Sequence, residues 1–241
     1  MRPELHFLSM GTTCSLFGDG DLAEGERWVR GVAARITRFD ESSELSQLNA
    51  ASAWVDVSPE MEQMLRVSLR AFETSGGLVN VAVLPSMLAI GYTRPLAQGP
   101  TAACLEHAHP APLLPDVLNV RRGRARLAPN VRIDLGGIAK GWMADQLAAR
   151  LGDHVLVNLG GDLYARGEWP VAIAGKTYLL RNLGAATSST RKRRWGDVHH
   201  LIDPRTGLPA TSRLEEVSVV ADTALDAEVL AKTVLISDRA A

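Results

Sequence analysis

The 241-residue chain has an ordinary globular composition, with 46% hydrophobic and 22% charged residues and a formal net charge of −1. This length can bury a substantial core as one large domain or as two small ones. The near-zero net charge excludes the global basic field of a nucleic-acid-binding protein. Cys14 and Cys104 show no CxxC or Cys/His spacing of a zinc site, and no signal segment or membrane span of roughly 20 apolar residues is found. We therefore expect a cytoplasmic protein.

Two amphipathic helices are predicted in the first third of the chain. Apolar residues recur at helical spacing from Leu22 to Thr37 and again from Pro59 to Thr74. The polar stretch after the first helix can cap a short helix that runs through Leu48. Ser58 is a good N-cap for the long second helix, and Gly76-Gly77 ends it.

A connector rich in Pro, Gly and Ala follows from Tyr92 to Pro129. It contains a predicted hairpin, in which the strands Val117–Val120 and Ala125–Leu127 flank an Arg-Gly turn. His107 and His109 also lie in the connector. An exposed pair of loop residues is favoured for them over a pair of metal ligands.

The remainder of the chain alternates predicted strands and helices. The strands are Val131–Leu135, His154–Asn158, Trp169–Ala174 and Val217–Ala221, and the helices are Ile138–Leu151 and Ala224–Leu235. Hairpin-like turns between strands favour an α+β (mixed α/β) fold, with mostly antiparallel or mixed sheets and packed helices, over a parallel doubly wound sheet. We expect a single domain over residues 1–241, or two intertwined subdomains with a connector near 92–129.

Four short blocks combine glycines or hydroxyls with charged side chains. They are Asp134–Gly141 (DLGGIAKG), Asn158–Asp162 (NLGGD), Ala186–Ser189 (ATSS) and His199–Pro209 (HHLIDPRTGLP). In the first block, a strand end, two glycines and a helix start allow backbone N–H groups and Lys140 to face a phosphate. A plain strand-to-helix turn is an equally good interpretation of this spacing alone.

The other three blocks also have structural interpretations when each is taken alone. Gly-Gly turns such as the one in NLGGD are common in hairpins that have no further function. Thr187 and Ser188, followed by the basic run Arg191–Arg194, could hold phosphate oxygens, although a surface loop is favoured for this segment. His200 and Asp203 are close enough in sequence for one to orient the other, and an imidazole with a pKa of about 6.5 can exchange a proton.

The four blocks, in this order, resemble the family of FAD:protein FMN transferases, formerly called thiamine-biosynthesis lipoproteins. Met10-Gly11-Thr12 and Ser43–Asn49 add to the resemblance, which runs from Met10 to Leu235. It implies transfer of FMN from FAD to a Thr or Ser hydroxyl of a partner flavoprotein, with release of AMP. In such phosphoryl-type chemistry the protein aligns an in-line nucleophile and neutralises the diphosphate, usually with Mg²⁺.

The resemblance also implies roles for individual residues. His200 would act as the general base with Asp203 beside it, and Gly137 would offer its backbone carbonyl to the metal together with Glu228. The residues implied to contact FAD are Met10, Phe39, Leu78, Val79, Asn80, Asp134, Lys140, Asp162, Thr187, Ser188 and Lys232.

Two positions depart from the family pattern. Gly77-Leu78-Val79-Asn80 stands where the family often has Gly-x-Phe-Asp, which alters one wall of the FAD pocket and keeps an acceptor in Asn80. On the C-terminal helix, Glu228 and Lys232 replace a metal-binding Asp and Thr. On an exposed face this pair would be a weak i,i+4 ion pair of about 0.3–0.5 kcal/mol. In a pocket, Lys232 would repel Mg²⁺, and we expect its ammonium to replace the metal beside the FAD diphosphate, oriented by Glu228.

Two other functions remain open for the sequence. One is an FAD-binding carrier or storage protein without transferase activity, and the other is an FAD pyrophosphatase that gives FMN and AMP. All three functions share FAD as the ligand and involve neither nucleic acid nor a membrane segment of this chain. Release of AMP, and covalent flavin on an acceptor, distinguish them.

Overall fold

The computed structural model describes residues 3–238, which divide into two units. The first unit consists of the chain up to Ala33 together with Ile138–Ser188 and Glu216–Ala231. The second consists of Ala34–Gly137, Ser189–Glu215 and the chain from Lys232 onward. Each unit is therefore assembled from segments that are distant in sequence.

The helices and strands of residues 3–238 have the following bounds. The strands are β1 Glu4–Ser9, β2 Thr12–Gly18, β3 Val55–Asp56, β4 Leu118–Arg121, β5 Arg124–Leu127, β6 Val155–Leu159, β7 Asp162–Ile173, β8 Lys176–Ser189, β9 Arg194–Trp195, β10 Val198–His199 and β11 Glu216–Ala221. The α-helices are α1 Leu22–Ile36, α2 Glu44–Ala50, α3 Pro59–Thr74, α4 Leu84–Ala89, α5 Leu114–Val117, α6 Ala139–Leu151 and α7 Ala224–Ser237. Short 3₁₀ turns lie at Leu96–Gln98 and Leu105–His107.

The first unit is built on a six-stranded sheet in the order β1-β2-β6-β7-β8-β11. The four pairs from β1 to β8 are antiparallel, and a register shift between Ala165 and Glu168 interrupts the β7–β8 ladder. Buried apolar side chains from β6, β7 and β8 form one core cluster, in which Trp169 and Leu180 are 6% and 3% exposed. Alternation of buried and exposed side chains along β7 is the pattern of a strand with one face in a core.

The second unit contains helices α2 to α5, a three-stranded antiparallel sheet in the order β3-β5-β4, and the β9–β10 hairpin. Ser43 and Ser58 begin α2 and α3, because each hydroxyl accepts a backbone N–H, from Ser46 at 3.0 Å and from Met61 at 3.2 Å. The predicted cap at Ser58 and the predicted end of α3 at Thr74 are therefore confirmed.

The predicted strand Val131–Leu135 is wrong, because this segment pairs with no strand in the described chain. The side-chain amide of Asn49 occupies both backbone groups of Ile133, accepting its N–H at 2.7 Å and donating to its carbonyl at 2.9 Å. The N–H of Asp134 donates to the carbonyl of Val81 over 2.8 Å. The extended segment therefore forms side-chain and loop hydrogen bonds in place of a ladder.

The surface loop expected at Ala186–Ser189 is also wrong. These residues form the end of strand β8, and the side chains of Ser188 and Ser189 are buried at 8% and 4% exposure. The mixed α+β fold with antiparallel sheets is confirmed. Within residues 3–238, no helix combines the length and the apolar character that crossing a membrane requires.

Candidate functional site

A lysine and two buried carboxylates form the most heavily charged cluster described in the first unit. Lys140 begins α6, and its ammonium contacts the carboxylate of Asp162, at the start of β7. The same ammonium lies 3.6 Å from Oε1 of Glu228 on α7. Asp162 is 2% exposed and Glu228 is fully buried. Buried carboxylates require charged or hydrogen-bonding partners, and Lys140 is such a partner for both acids.

The second oxygen of Glu228 joins two helices. Its Oε2 accepts the backbone N–H of Gly141 over 2.9 Å, which satisfies one of the amides at the start of α6. A Cβ atom at position 141 would lie 2.8 Å from both this oxygen and the carbonyl oxygen of Ala224. The last glycine of the DLGGIAKG block is therefore required for the close approach of α6 and α7.

Asp145 makes a second connection between α6 and α7. Its two oxygens accept the N–H groups of Ala224 at 2.7 Å and Leu225 at 3.0 Å, the first residues of α7. Burial raises the pKa of Asp145 to about 6, against the lowering effect of these two hydrogen bonds. The nearby charges of Asp226 and Glu228 raise this pKa further.

The NLGGD block forms the predicted hairpin turn between β6 and β7. Gly160 and Gly161 have φ values of 75° and 101°, which favour glycine, and the N–H of Gly161 donates to Oδ1 of Asn158 at 2.8 Å. A Cβ atom at Gly160 would collide with the side chain of Thr12. The turn therefore fits closely against the start of β2, two residues after Met10, whose own φ is 52°.

The two hydroxyl residues proposed for the diphosphate lie on strand β8. The Thr187 hydroxyl is 2.9 Å from the Ser218 hydroxyl on β11, and Ser188 is 8% exposed. Thr187 therefore has a hydroxyl partner on another strand of the same sheet.

In the second unit, Arg38 organises the surroundings of Asp134. Its Nε donates to Oδ2 of Asp134 at 2.5 Å, and its Nη2 donates to the carbonyl of Tyr92 at 2.6 Å. The guanidinium lies 4.3 Å from the ring centroid of Phe39 and 4.6 Å from that of Tyr92. The other oxygen of Asp134 accepts the N–H of Gly136 at 2.7 Å. Phe39 and Asp134, two of the residues implied to contact FAD, thus both contact the buried guanidinium of Arg38.

The segment Leu78–Asn80, for which the resemblance implies a change in one wall of the FAD pocket, is largely buried. Val79 and Asn80 are 5% and 7% exposed, and Leu78 is half-buried. The Asn80 side chain accepts the N–H of Ala82 at 2.9 Å and donates to the carbonyl of Pro112 at 2.9 Å. Its acceptor oxygen, expected to face the ligand, is therefore used to hold the loop after α3.

Gly137 and Lys232 lie together in the second unit. The Cε atom of Lys232 is 3.8 Å from the position that a Cβ of residue 137 would take. The aliphatic end of the Lys232 side chain therefore packs against this glycine, whose carbonyl the resemblance assigns to a metal.

The two adjacent histidines have different surroundings. His199 is 7% exposed, its Nδ1 accepts the N–H of Leu201 at 3.3 Å, and its Nε2 lies 3.1 Å from the carbonyl of Ala210. This pattern requires a neutral ring with the proton on Nε2, and burial lowers the pKa of His199. His200 is half-buried, and its backbone N–H donates to the carbonyl of Arg193 at 3.1 Å.

Asp203 is bound by an arginine that sequence reasoning missed. Nε of Arg205 donates to Oδ1 at 2.9 Å, its Nη2 donates to Oδ2 at 2.7 Å, and its backbone N–H donates to Oδ1 at 2.9 Å. Burial raises the pKa of Asp203, but the hydrogen bonds from Arg205 outweigh burial and leave this pKa below its ordinary value. The DPRTG turn therefore fixes an ionised carboxylate.

The overall architecture is shared with flavin transferases of known structure. The ApbE protein from Thermotoga maritima superimposes with a TM-score of 0.85 at 22% identity, covering 98% of this chain and 87% of that one. The apo flavinyl transferase ApbE from Pseudomonas stutzeri gives 0.82 at 20% identity, covering 98% and 86%. At these identities the likeness establishes the fold. The model of the ApbE family matches residues 10–241, and the chain belongs to that family.

Two relatives carry the name FAD:protein FMN transferase. The Haemophilus influenzae protein is 26% identical over 91% of this chain and 76% of its own length. The Treponema pallidum protein is 32% identical over 79% of this chain, and the matched part spans 64% of its own length. The family predicted from the four sequence blocks is therefore confirmed.

Proposed function

We propose that this chain transfers FMN from FAD to a Thr or Ser hydroxyl of a partner flavoprotein and releases AMP. The main support for this proposal is the family match over residues 10–241, together with relatives that are named FAD:protein FMN transferases. In this reaction the acceptor oxygen attacks the phosphorus on the FMN side of the diphosphate. The bond from that phosphorus to the bridging oxygen breaks, AMP leaves with the bridging oxygen, and the hydroxyl proton passes to a base.

His200 is the proposed base on the family resemblance, and the hydrogen bonds of its neighbour His199 argue against His199 in that role. Both ring nitrogens of His199 are used by backbone groups, so this residue holds the segment between β10 and Ala210 in place. His200 is the histidine that the family pattern assigns to the reaction. Asp203, ionised and fixed by Arg205, remains a proposed neighbour that favours the protonated imidazole.

The charged cluster around Lys140 supports a role in binding the diphosphate. Its ammonium is positioned by Asp162 and Glu228 at the beginning of α6, where backbone N–H groups also favour anions. We propose that Lys140 contacts a phosphate oxygen of FAD while Asp162 keeps it charged and oriented. On the family resemblance, the other proposed FAD contacts are Met10, Phe39, Leu78, Val79, Asp134, Thr187 and Ser188.

The residues at the family's metal position do not fit Mg²⁺. The ion prefers six oxygen ligands, whereas Glu228 already uses Oε2 for the N–H of Gly141 and places Oε1 3.6 Å from the Lys140 ammonium. The side chain that lies next to Gly137 belongs to a second lysine, Lys232. We therefore propose that Lys232 supplies positive charge in place of the metal, and that the reaction proceeds without added Mg²⁺.

The function is tested by incubating the full chain with FAD and an acceptor protein that carries an Asp-Gly-x-Thr/Ser stretch. The expected result is AMP in the supernatant and flavin fluorescence on the denatured acceptor, in equal amounts, with or without EDTA. An acceptor variant with Ala in place of the hydroxyl residue is the matched control. AMP without covalent flavin would instead identify a pyrophosphatase, and bound FAD without AMP would identify a carrier.

We also propose that the protein is cytoplasmic, and fractionation of the native host tests this location.

A further inference from the structure

A thiol, a carboxylate and an imidazole meet at the 3₁₀ turn Leu105–His107 of the second unit. The Sγ of Cys104 donates to Oε1 of Glu106 at 3.2 Å and lies 4.0 Å from Nε2 of His107. The three ligand atoms lie within 4.8 Å of one another. None of these residues belongs to the blocks on which the proposed transferase function rests.

The backbone brings Cys104 and His107 close together. Cys104 is the residue that precedes the 3₁₀ turn Leu105–His107. The N–H of His107 donates to the carbonyl of Cys104 at 3.1 Å, which closes the turn. The N–H of Cys104 donates to the carbonyl of Ala89 at 2.7 Å, which fixes the turn to the end of α4. The cluster is thus attached to a helix although it lies within the connector.

Two members of the cluster, Cys104 and His107, line a cavity of about 330 Å³ that can admit an ion and water. His109 and Arg132 line the same cavity. A second imidazole is therefore in the same cavity. A thiolate and a carboxylate carry two negative charges, which balance a divalent cation when His107 is neutral.

We propose that Cys104, Glu106 and His107 form a binding site for a zinc-class divalent transition-metal ion. A tetrahedral zinc ion with bonds of about 2.0–2.3 Å holds its ligand atoms about 3.3–3.8 Å apart. The separations of 3.2 Å and 4.0 Å from Sγ lie just outside the two ends of this range, and the ligand atoms of Glu106 and His107 lie within 4.8 Å of each other. On binding, the thiol proton is released to solvent and a metal–sulfur bond forms. Thiolate and imidazole ligands select Zn²⁺ or Co²⁺ over Mg²⁺ and Ca²⁺.

The three ligands lie in a turn that the Cys104 N–H already fixes to the end of α4. Metal binding stabilises the folded state by mass action to the extent that this fixed turn binds the ion more tightly than the unfolded chain does. The site therefore has a stability readout that does not depend on flavin chemistry.

The test is titration of the full chain with Co²⁺ in the presence of a non-thiol reductant. The expected result is a thiolate-to-cobalt charge-transfer absorption that saturates at one ion per chain and disappears on addition of Zn²⁺. Cys104→Ser is expected to abolish the absorption, and His107→Gln to weaken Co²⁺ binding about tenfold or more. Cys14→Ala, which removes the buried thiol of strand β2, is the matched control and is expected to bind Co²⁺ as the parent does.

Zn²⁺ is also expected to raise the Tm of the parent chain and of Cys14→Ala, and to leave the Tm of Cys104→Ser unchanged. Absence of the charge-transfer absorption in the parent would overturn the proposal. So would equal Co²⁺ affinity in the parent and in His107→Gln, because the imidazole would then not be a ligand. Binding of Mg²⁺ with comparable affinity would contradict the proposed chemistry of the site.

Discussion

Nε of Arg38 donates a hydrogen bond to Oδ2 of Asp134 over 2.5 Å, across 96 residues of sequence. The two side chains are 6% and 14% exposed, so neither charge is well solvated. Removal of one partner from such a pair leaves a buried charge without compensation.

Arg38→Ala is therefore expected to lower the free energy of unfolding by about 3 kcal/mol or more. Arg27→Ala on α1 is the matched control, since Arg27 and Glu24 are 63% and 62% exposed, and it is expected to change stability by less than about 1 kcal/mol. Urea denaturation of both variants measures the difference. Equal midpoints for the two variants would contradict the structural role assigned to Arg38.

Lys140→Met is expected to reduce AMP release by about 10²-fold or more, because it removes the charge proposed to contact the diphosphate. It also leaves the buried carboxylates of Asp162 and Glu228 without their cation, so a lower Tm is expected as well. Lys140→Arg keeps the charge, so it is expected to retain most of the parental Tm and of the AMP release. Lys176→Met, at the exposed start of β8, is the control and should retain parental activity. The assignment fails if Lys140→Met matches that control.

A Glu228→Asp/Lys232→Thr double variant is expected to gain Mg²⁺ dependence. The change removes one ammonium and restores the Asp and Thr that the family pattern has at these positions. AMP release by the double variant should rise with added Mg²⁺ and fall with EDTA, while the parent responds to neither. A double variant that ignores both additions would argue against replacement of the metal by Lys232.

The two histidines are expected to separate catalysis from stability. His200→Ala should lose FMN transfer by about 10²–10⁴-fold, the usual contribution of a general base. His199→Ala leaves the Leu201 N–H and the Ala210 carbonyl without their partner, and should lower the unfolding free energy by about 1–3 kcal/mol. Reversal of this pattern, with His199 needed for transfer in a fully stable protein, would exclude His200 as the base.

Asp145 is expected to make stability depend on pH in the acidic range. Its pKa is about 6 in the folded chain, against the ordinary 3.8, so the folded state retains a proton that the unfolded state has lost. The contribution to stability is present below about pH 4 and is lost as the pH rises through 6. Roughly two pKa units at about 1.4 kcal/mol each give a decrease of about 3 kcal/mol.

The measurement is the difference in unfolding free energy between the parent and Asp145→Asn at several pH values from 4 to 7. This difference should fall as the pH rises, because the amide of the variant does not titrate. Asp153→Asn is the control, since Asp153 is 94% exposed in its pair with Arg166, and it should show a much flatter profile. A flat profile for Asp145→Asn would show that its carboxyl titrates normally.

The sequence predicts secondary structure correctly where the stabilising contacts join residues that are close together in the chain. Ser58 and Pro59 predict the start of α3 because capping involves residues three positions apart. The strand predicted at Val131–Leu135 fails because its hydrogen bonds go to Asn49, 84 residues away, and nothing local encodes that partner. Long-range hydrogen bonds to Asn49 thus replace the strand pairing that the local sequence pattern predicts.

The same distinction applies to the candidate site. The resemblance selected Asp134 and Lys140, but Arg38 carries no motif, and its role depends on a contact that only the fold creates. The sequence predicts no zinc-site spacing at Cys104 and an exposed loop at His107, because these side chains approach one another only through a 3₁₀ turn that the sequence pattern does not indicate. The resemblance implies that Glu228 and Lys232 replace a metal-binding Asp and Thr, and the structure places the Lys140 ammonium 3.6 Å from Oε1 of Glu228.

The hydrogen bond between the Glu228 carboxylate and the Gly141 N–H depends on the length of the glutamate side chain. Glutamate spans the distance from α7 to the backbone of α6, and an aspartate, shorter by one methylene, would fall short of the Gly141 N–H. A single CH₂ group therefore decides whether the carboxylate fastens two helices or is left to bind a cation. The proposed loss of metal dependence therefore combines two changes: the longer reach of Glu228, whose carboxylate joins α7 to α6, and the added ammonium of Lys232.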